Sequence, residues 1–496
     1  MTVKKENNFN LDSFCPEPFN QLQIDSTGEY KICCLSVYSH DRGNALDKDN
    51  TPMNVATHSL SEAMNSETHK SHRLELSNNL KPQRCVNCYD SESSTKESEF
   101  AKKVKFVNGF SKRQGILLRG ARQIPYINVK DAYDATSEDG SIDTDKTKLI
   151  NLDLRFSNLC NLKCIMCDPG HSSLWYEDWD KLARTRTLLN SDGRSSDDYR
   201  TGIDPNTGKS QFWKGKYKVY NLTPDSHGKL SIEDHQRWWE SPRWWNQFEE
   251  AAKTLKHIYF TGGEPLLVPS MVECLDRLIN NGYAKDIILQ YDTNLTVINK
   301  NVIEKWKHFK DVMLCISVDD TEEQYELIRF PGNYSKLKEN ILKIKSEGVS
   351  INHISGCVGI ASPYSVLRMI ELAKELDVNV FMRYLYSPKW LNIQFLPKSA
   401  KEEIIQELEK HVGSGNKNEH WVVSEINYLK SNLDLIPYLS EDFENNPEKF
   451  RADALTTFVK TMNNLDNIRG TDWKSVLQDV VGLFQRHCPA IDLDQL

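Results

Sequence analysis

Leu149-Ile-Asn-Leu-Asp-Leu-Arg-Phe-Ser-Asn-Leu-Cys160-Asn-Leu-Lys-Cys164-Ile-Met-Cys167 is the stretch whose reading decides the fold. Its first half, Leu149–Phe156, has the composition of a buried strand, and its second half sets three cysteines at C-x3-C-x2-C spacing in the loop behind it. Further short apolar, β-branched runs follow at His257–Thr261, Asp286–Tyr291, Val312–Val318, Ile351–Ile360 and Asn379–Leu385. Helix-length amphipathic runs lie between them, such as Ser270–Asn281, Ile298–Trp306, Ser335–Glu347 and Ser365–Glu375. Strands of this buried, non-alternating kind, interleaved with helices, predict a parallel sheet. Six such units predict an α/β fold, a partial (β/α)6 TIM-like barrel that stops short of the eightfold one. Parallel βα folds place their chemistry at the C-terminal ends of strands, and the cysteine loop begins at such an end.

Three thiolates in so short a loop can face one cube of iron and sulfide. Four-iron clusters normally take four cysteines, so three leave one iron open to another ligand. The alternative is a zinc knuckle whose fourth ligand is remote, with His171 in reach. Other strand ends carry small polar residues. The second strand runs into Tyr259-Phe-Thr-Gly262-Gly263-Glu264-Pro265, where two glycines allow close backbone approach and the carboxylate can accept from an ammonium group. The third ends at Asp292-Thr293-Asn294 and the fourth at Ser317-Val318-Asp319-Asp320. Capping of the next helix is the plain alternative role for each of these.

The chain has 496 residues, 12 of them cysteine. Eight cysteines fall in two groups: Cys160, Cys164 and Cys167, and an N-terminal set of Cys15, Cys33, Cys34, Cys85 and Cys88. Such short spacings point to metal ligation before disulfides. The segment Leu22–Cys34 predicts two short strands joined by a turn at Ser26-Thr27-Gly28, and residues 59–80 a helix. A further helix is expected near 93–107. The N-terminal start, MTVKKENNFNLDSF, has no apolar core, so a cytoplasmic protein is expected. No apolar run reaches the ~20 residues of a membrane span. The net charge of −8 argues against a broad electrostatic grip on nucleic acid or an anionic membrane, and Lys102-Lys103-Val-Lys105 is taken as a solvated face.

These signals divide the chain into a cysteine-bearing module at 1–110, a connector at 111–147, the barrel at 148–397 and a polar-faced C-terminal region at 398–496 with at least three helices. An insertion at 170–250 holds seven of the 11 tryptophans, Trp175, Trp179, Trp213, Trp238, Trp239, Trp244 and Trp245. It is expected to have a mini-core of its own, with a loop around 190–209. Cys274 and Cys315 are expected in the core. Cys357 and Cys488 are also read as packing residues, with hydrogen or proton donation as the alternative.

With its three-cysteine loop, the chain resembles the radical S-adenosylmethionine (radical SAM) superfamily. The resemblance implies a catalytic [4Fe–4S] cluster on Cys160, Cys164 and Cys167. The iron they leave open would chelate S-adenosylmethionine, whose reductive cleavage gives a 5′-deoxyadenosyl radical that abstracts hydrogen from a substrate. Gly262, Gly263, Glu264 and Pro265 match the motif for the methionine amino group, while Asn294, Ser317 and Asp319 would hold carboxylate and ribose. The residue before the third cysteine is often aromatic in that family and is Met166 here; its thioether can still pack on adenine. A fifth-strand glycine motif is not cleanly present.

The N-terminal set resembles SPASM/twitch auxiliary-cluster modules, placed here ahead of the barrel. That resemblance implies a second [4Fe–4S] cluster on Cys15, Cys33, Cys85 and Cys88, with Cys34 the other reading for the second position and a four-thiolate zinc site the other reading for the whole. It further implies a reducing partner such as flavodoxin or ferredoxin, and a peptide or protein side chain as substrate. A small molecule such as a sugar, nucleotide or cofactor precursor is the alternative substrate. A zinc-stabilised, non-catalytic binding protein is the alternative from another class.

Overall fold

The computed structural model describes residues 13–34, 36, 43–85, 88–89, 127–185, 187, 202–204, 206–214, 218–232, 237–413, 415–434 and 447–495. The helix expected near 93–107, the lysines at 102–105 and most of the 190–209 loop lie outside the described residues. In chain order the elements are β1 (Gln21–Ile24), β2 (Tyr30–Lys31), α1 (Glu67–Ser77), β3 (Asn151–Leu154) and α2 (Trp175–Arg184). Then come β4 (Gly202–Ile203), β5 (Ser210–Lys214), β6 (Lys218–Pro224), β7 (Leu230–Ile232), α3 (Pro242–Ala252), β8 (His257–Phe260) and α4 (Pro269–Asn280). The barrel continues through β9 (Ile288–Thr293), α5 (Lys300–Trp306), β10 (Asp311–Ser317), α6 (Glu322–Ile328), α7 (Tyr334–Ser346), β11 (Ser350–Val358), α8 (Ser365–Glu375) and β12 (Val380–Tyr384). The C-terminal region is helical, with α9 (Lys398–Glu409), α10 (His420–Ser431), α11 (Pro447–Arg469) and α12 (Gln478–His487).

All six expected barrel strands form. They lie in an eight-stranded sheet of order β12-β11-β10-β9-β8-β3-β1-β2, an α/β partial barrel. The helices between them start where their sequence allows. Pro242 and Pro269 open α3 and α4, where a missing N–H costs nothing. Asn299 and Asn333 cap α5 and α7 by accepting from the N–H groups of Asn301 and Lys336. The chain divides into two compact units, Met1–Asn158 with His235–Asp292 and Asn299–Met313, and Leu159–Asp234 with Thr293–Ile298 and Leu314–Leu496.

In the first unit the N-terminal hairpin joins the barrel sheet. Strand β1 pairs in parallel with β3, Gln21 opposite Asn151 and Ile24 opposite Leu154, so it extends the barrel sheet past its first expected strand. The strands here also correct the non-alternating expectation. Leu22, Ile24, Leu152, Leu154, Ile258, Phe260, Leu289 and Tyr291 lie at one set of alternate positions. Gln21, Gln23, Asn151, Asp153, His257, Tyr259, Gln290 and Asp292 lie at the other. Period 2 puts the two sets on opposite faces. Both faces are largely buried, which is why the runs read as continuously apolar-like, but one of them is polar.

The apolar face carries a row of aromatic rings. Trp238 stacks on Phe156 with centroids 5.5 Å apart, Phe156 on Phe260 at 6.2 Å and Phe260 on Tyr291 at 5.1 Å. Trp306 then packs on Tyr291 and donates its indole N–H to that phenol oxygen at 3.1 Å. Trp244 meets Trp238 edge-on at 4.9 Å. Four of the insertion's tryptophans therefore cover the outside of the sheet, and the expected single mini-core is corrected. A ring pair at Trp238-Trp239 and another at Trp244-Trp245 pack best on the nearest large apolar surface, and Phe156 and Phe260 supply it.

In the second unit, β4–β7 form their own antiparallel sheet. Trp179 on α2 donates to the Gln211 carbonyl at 3.4 Å and Phe212 stacks on Tyr220 at 5.3 Å. The sequence reading did not anticipate these strands.

A single buried side chain ties several segments of the N-terminal region together. Arg73 on α1 donates to the carbonyls of Pro18, Met64 and Gly140 and to the Asn65 side chain, at 2.8–3.0 Å. Replacing Arg73 with Met strands four buried or half-buried acceptors. Urea unfolding of the full chain should then show a loss of about 3 kcal/mol or more, given 1.5–3 kcal/mol for each hydrogen bond to a charged group; an unchanged midpoint would contradict this role.

Candidate functional site

The second unit holds Cys160, Cys164 and Cys167 in the tight loop that follows β3. The amide of Cys167 donates to the Cys164 carbonyl at 2.9 Å, and the Trp175 indole donates to that same carbonyl at 2.9 Å. Cys164 is buried, and Cys160 and Cys167 are half-buried. Cys164 is the one held low, because it takes the hydrogen bond of the Cys167 thiol and faces the Arg329 guanidinium. Cys167 is raised in turn, by that bond, by burial and by the neighbouring sulfurs.

Each end of the loop is anchored. At Cys160, the Asn294 carboxamide lies 3.9 Å from the sulfur and donates to Asn161 at 3.0 Å, while Asn161 donates to Thr296 at 2.7 Å. At Lys163, the ammonium pairs with Asp178 at 2.7 Å, and Arg469 from the end of α11 reaches the other oxygen of the same carboxylate at 2.7 Å. That guanidinium also lies over the Trp175 ring at 4.7 Å and the Phe330 ring at 5.4 Å. The C-terminal helices, which carried no motif in the sequence, thus brace the cysteine loop.

Of the other expected residues in this unit, Met166 is half-buried within the loop and Ser317 is half-buried at the last position of β10. Asp319 is buried with a left-handed backbone, φ 69°. Its carboxylate is engaged on both sides, by Arg329 at 2.7 Å and by the backbone N–H of Cys357 at 2.9 Å. Burial pushes the Cys357 thiol up to about 12, with the Asp319 charge adding to the effect. Cys488 and Cys315 are buried packing residues, as expected.

The first unit holds the glycine turn. Gly262 has φ 119°, and a Cβ there would sit 3.0 Å from the Ser157 carbonyl oxygen and 3.2 Å from the Arg155 Cβ. Gly263 donates to the same Ser157 carbonyl at 3.2 Å. The turn after β8 therefore lies against the chain leaving β3, which only glycine permits. Glu264 is buried and caps the next turn through the Leu266 N–H at 3.1 Å, with Pro265 following it.

The N-terminal thiols occupy the same unit. The Asp25–Glu29 turn closes the hairpin, with Gly28 at φ 82°. Tyr89 donates to the Ser13 carbonyl at 2.8 Å and brings the Cys88 segment to the Cys15 segment. Burial, then Glu17 and the Cys85 and Cys33 sulfurs, push the Cys15 thiol up. Burial with Cys33 and Cys88 does the same to Cys85, whose sulfur lies 3.5 Å from His72 Nε2. Cys15 and Cys85 thus both feel the Cys33 sulfur, and Cys85 also feels that of Cys88. The Cys34 sulfur acts on Arg155 and Tyr259. Neighbouring sulfurs that disfavour ionisation of Cys15 and Cys85 suit a group that brings positive charge. Cys274 is buried in the core, as expected. Among the described residues, no three His, Cys, Asp or Glu side chains converge as ligands of one metal ion.

Two domain families account for this arrangement. The radical SAM superfamily model matches residues 154–373, and the SPASM iron–sulfur cluster-binding domain model matches residues 15–89. The chain thus carries a radical SAM domain over residues 154–373 and a SPASM domain over residues 15–89, ahead of it. Those domains imply a four-iron cluster with S-adenosylmethionine and an auxiliary iron–sulfur cluster, and the thiols present fit both. No curated protein matches the chain. Among solved structures it is similar to native anSMEcpe with bound AdoMet, at 17% identity over 54% of this chain and 62% of that one, TM-score 0.32. It is also similar to Streptococcus suis SuiB bound to the precursor peptide SuiA, at 12% identity over 73% and 66% with TM-score 0.31. TYW1 with a lysine-pyruvate adduct bound matches at 16% over 60% and 89%, TM-score 0.27. The chain thus spans less than two thirds of anSMEcpe.

Sequence reasoning found the cysteines and the glycine turn but missed Lys163, Asp178, Arg329 and Arg469, which carry no local pattern. Changing Gly262 to Ala forces a side chain into both Ser157 and a left-handed backbone. It should cost about 1–3 kcal/mol in denaturant unfolding; a neutral substitution would contradict the close approach.

Proposed function

We propose that this protein is a radical SAM enzyme that cleaves S-adenosylmethionine reductively and uses the resulting 5′-deoxyadenosyl radical to abstract hydrogen from a peptide or protein side chain. The observation that carries the reading is the loop that brings three thiols together, one buried and two half-buried, with Asn294 beside Cys160 and Arg329 beside Cys164. In this reading Cys160, Cys164 and Cys167 hold the catalytic cluster. The cluster, when bound, supplies the electron that breaks the sulfonium bond. Gly262 and Gly263 let the backbone come close to the methionine end of S-adenosylmethionine, with Glu264 and Pro265 shaping the same turn. Asn294 and Ser317 face its carboxylate and ribose, Met166 packs on adenine, and Asp319 acts through the Arg329 and Cys357 groups it holds. Cys15, Cys33, Cys85 and Cys88 hold the auxiliary cluster, and Cys34 does not.

The SPASM domain favours a peptide or protein substrate, as such modules often accompany peptide-modifying enzymes. The polar sheet face of the first unit agrees with a substrate rich in hydrogen-bonding groups: Asn151 and Gln23 are fully buried, and their side-chain oxygens have no partner among the described residues. The electron comes from a small carrier such as flavodoxin or ferredoxin. Among the described residues, no helix is long and apolar enough to cross a membrane.

Purified without oxygen, the protein should contain about eight irons, from two four-iron clusters, and should cleave S-adenosylmethionine on reduction. Zinc in place of iron after anaerobic reconstitution would sink the reading in favour of a zinc-stabilised binding protein. Cys164→Ala should abolish cleavage and leave about half the iron. Cys33→Ala should lose the auxiliary cluster and Cys34→Ala should keep it; the reverse result would exchange their roles.

A further inference from the structure

Two backbone hydrogen bonds flank Cys164. The Lys163 N–H donates to the Phe330 carbonyl at 2.7 Å, and the Ile165 N–H donates to the Ile328 carbonyl at 2.9 Å. These rungs run antiparallel and set Arg329 directly opposite Cys164. Residues opposite each other in such a pair project to the same side. The Arg329 Nη1 atom accordingly lies 3.9 Å from the Cys164 sulfur. Its Nη2 atom pairs with Asp319 Oδ2 at 2.7 Å, and Asp319 is itself fixed by the Cys357 N–H. The guanidinium is 12% exposed and the carboxylate 1%.

A buried ion pair of this kind is weak evidence for stability, since its desolvation offsets most of the attraction. Its placement against a sulfur gives it another effect. Hydrogen bonds to ligand sulfurs and nearby charge are among the terms that set the potential of an iron–sulfur cluster. Reduction adds one negative charge. A fixed cation 3.9 Å from one ligand favours the reduced form more than the oxidised form, and low dielectric strengthens the effect. Arginine keeps its charge at every working pH.

We infer that Arg329, oriented by Asp319, is a positioning residue that raises the reduction potential of the cluster on Cys160, Cys164 and Cys167. The inference rests on the proposed ligand role of that loop. It assigns Asp319 to the cluster side of the site through Arg329, and it explains why the α6 terminus is laddered to the cysteine loop.

The test is an EPR-monitored redox titration of the full chain, reconstituted without oxygen, as wild type, Arg329→Lys, Arg329→Gln and the double variant R329Q/D319N. In Arg329→Gln the equilibrium constant for one-electron reduction of the catalytic cluster should fall about tenfold, about 59 mV. Arg329→Lys keeps the charge and should stay within about threefold of wild type. The auxiliary cluster, which none of these changes touches, should keep its potential throughout and report that the chain is folded. Should Arg329→Gln fail to fold, the double variant removes both charges together, a change cores tolerate better; its catalytic cluster should also become harder to reduce, by less than in the single variant. A potential unmoved in the folded Arg329→Gln protein, or unmoved in the double variant, overturns this inference alone. Wild-type protein carrying only the auxiliary cluster overturns the proposed function, and this inference with it.

Discussion

Thiolates crowded together repel one another, and burial makes the repulsion worse. Seven cysteines here stand in two such groups, and much of the surrounding structure answers the charge they would carry. In the second unit a guanidinium faces Cys164, a carboxamide faces Cys160, and the loop between them is stitched to the α6 terminus by backbone bonds. In the first unit burial and neighbouring sulfurs push the Cys15 and Cys85 thiols up, with His72 alongside Cys85. Each group makes chemical sense as the bed of a cationic inorganic core, because only added positive charge lets all the thiols ionise together.

The sheet serves the same end. A TIM-type interior is ordinarily filled by branched apolar side chains. In the first unit the packing role is moved to the other face, where Phe156, Phe260 and Tyr291 lie under Trp238 and Trp306. That leaves amides, carboxylates and a phenol on the opposite face. Tyr259 donates to Asp292 at 2.5 Å within this polar set. Strand β1 adds Gln21 and Gln23 to it, through its parallel pairing with β3.

The legible part of this structure was its local part. Six strands, their helices and the GGEP turn announce themselves in runs of a few residues, and C-x3-C-x2-C needs only eight. What escaped was set by contacts distant in sequence. Arg329 lies 165 positions from Cys164, and Arg469 lies 291 from Asp178, and no periodicity marks either. The parallel pairing of β1 with β3 spans about 130 residues and depends on a register that only the folded sheet defines. The four-stranded insertion was hidden because its tryptophans drew the reading to a mini-core of their own, whereas the alternation of residues 210–224 was the weaker and truer signal.

The central claim is that the cube held by Cys160, Cys164 and Cys167 keeps one iron for S-adenosylmethionine. The direct measurement is pulsed ENDOR on the reduced protein, frozen with S-adenosylmethionine labelled with nitrogen-15 at the amino group and oxygen-17 at the carboxylate. Hyperfine coupling from both labels to the cluster is the result this account predicts. A reduced cluster on that loop showing no coupling to either label would mean that a side chain already fills the fourth corner, and the account would be wrong.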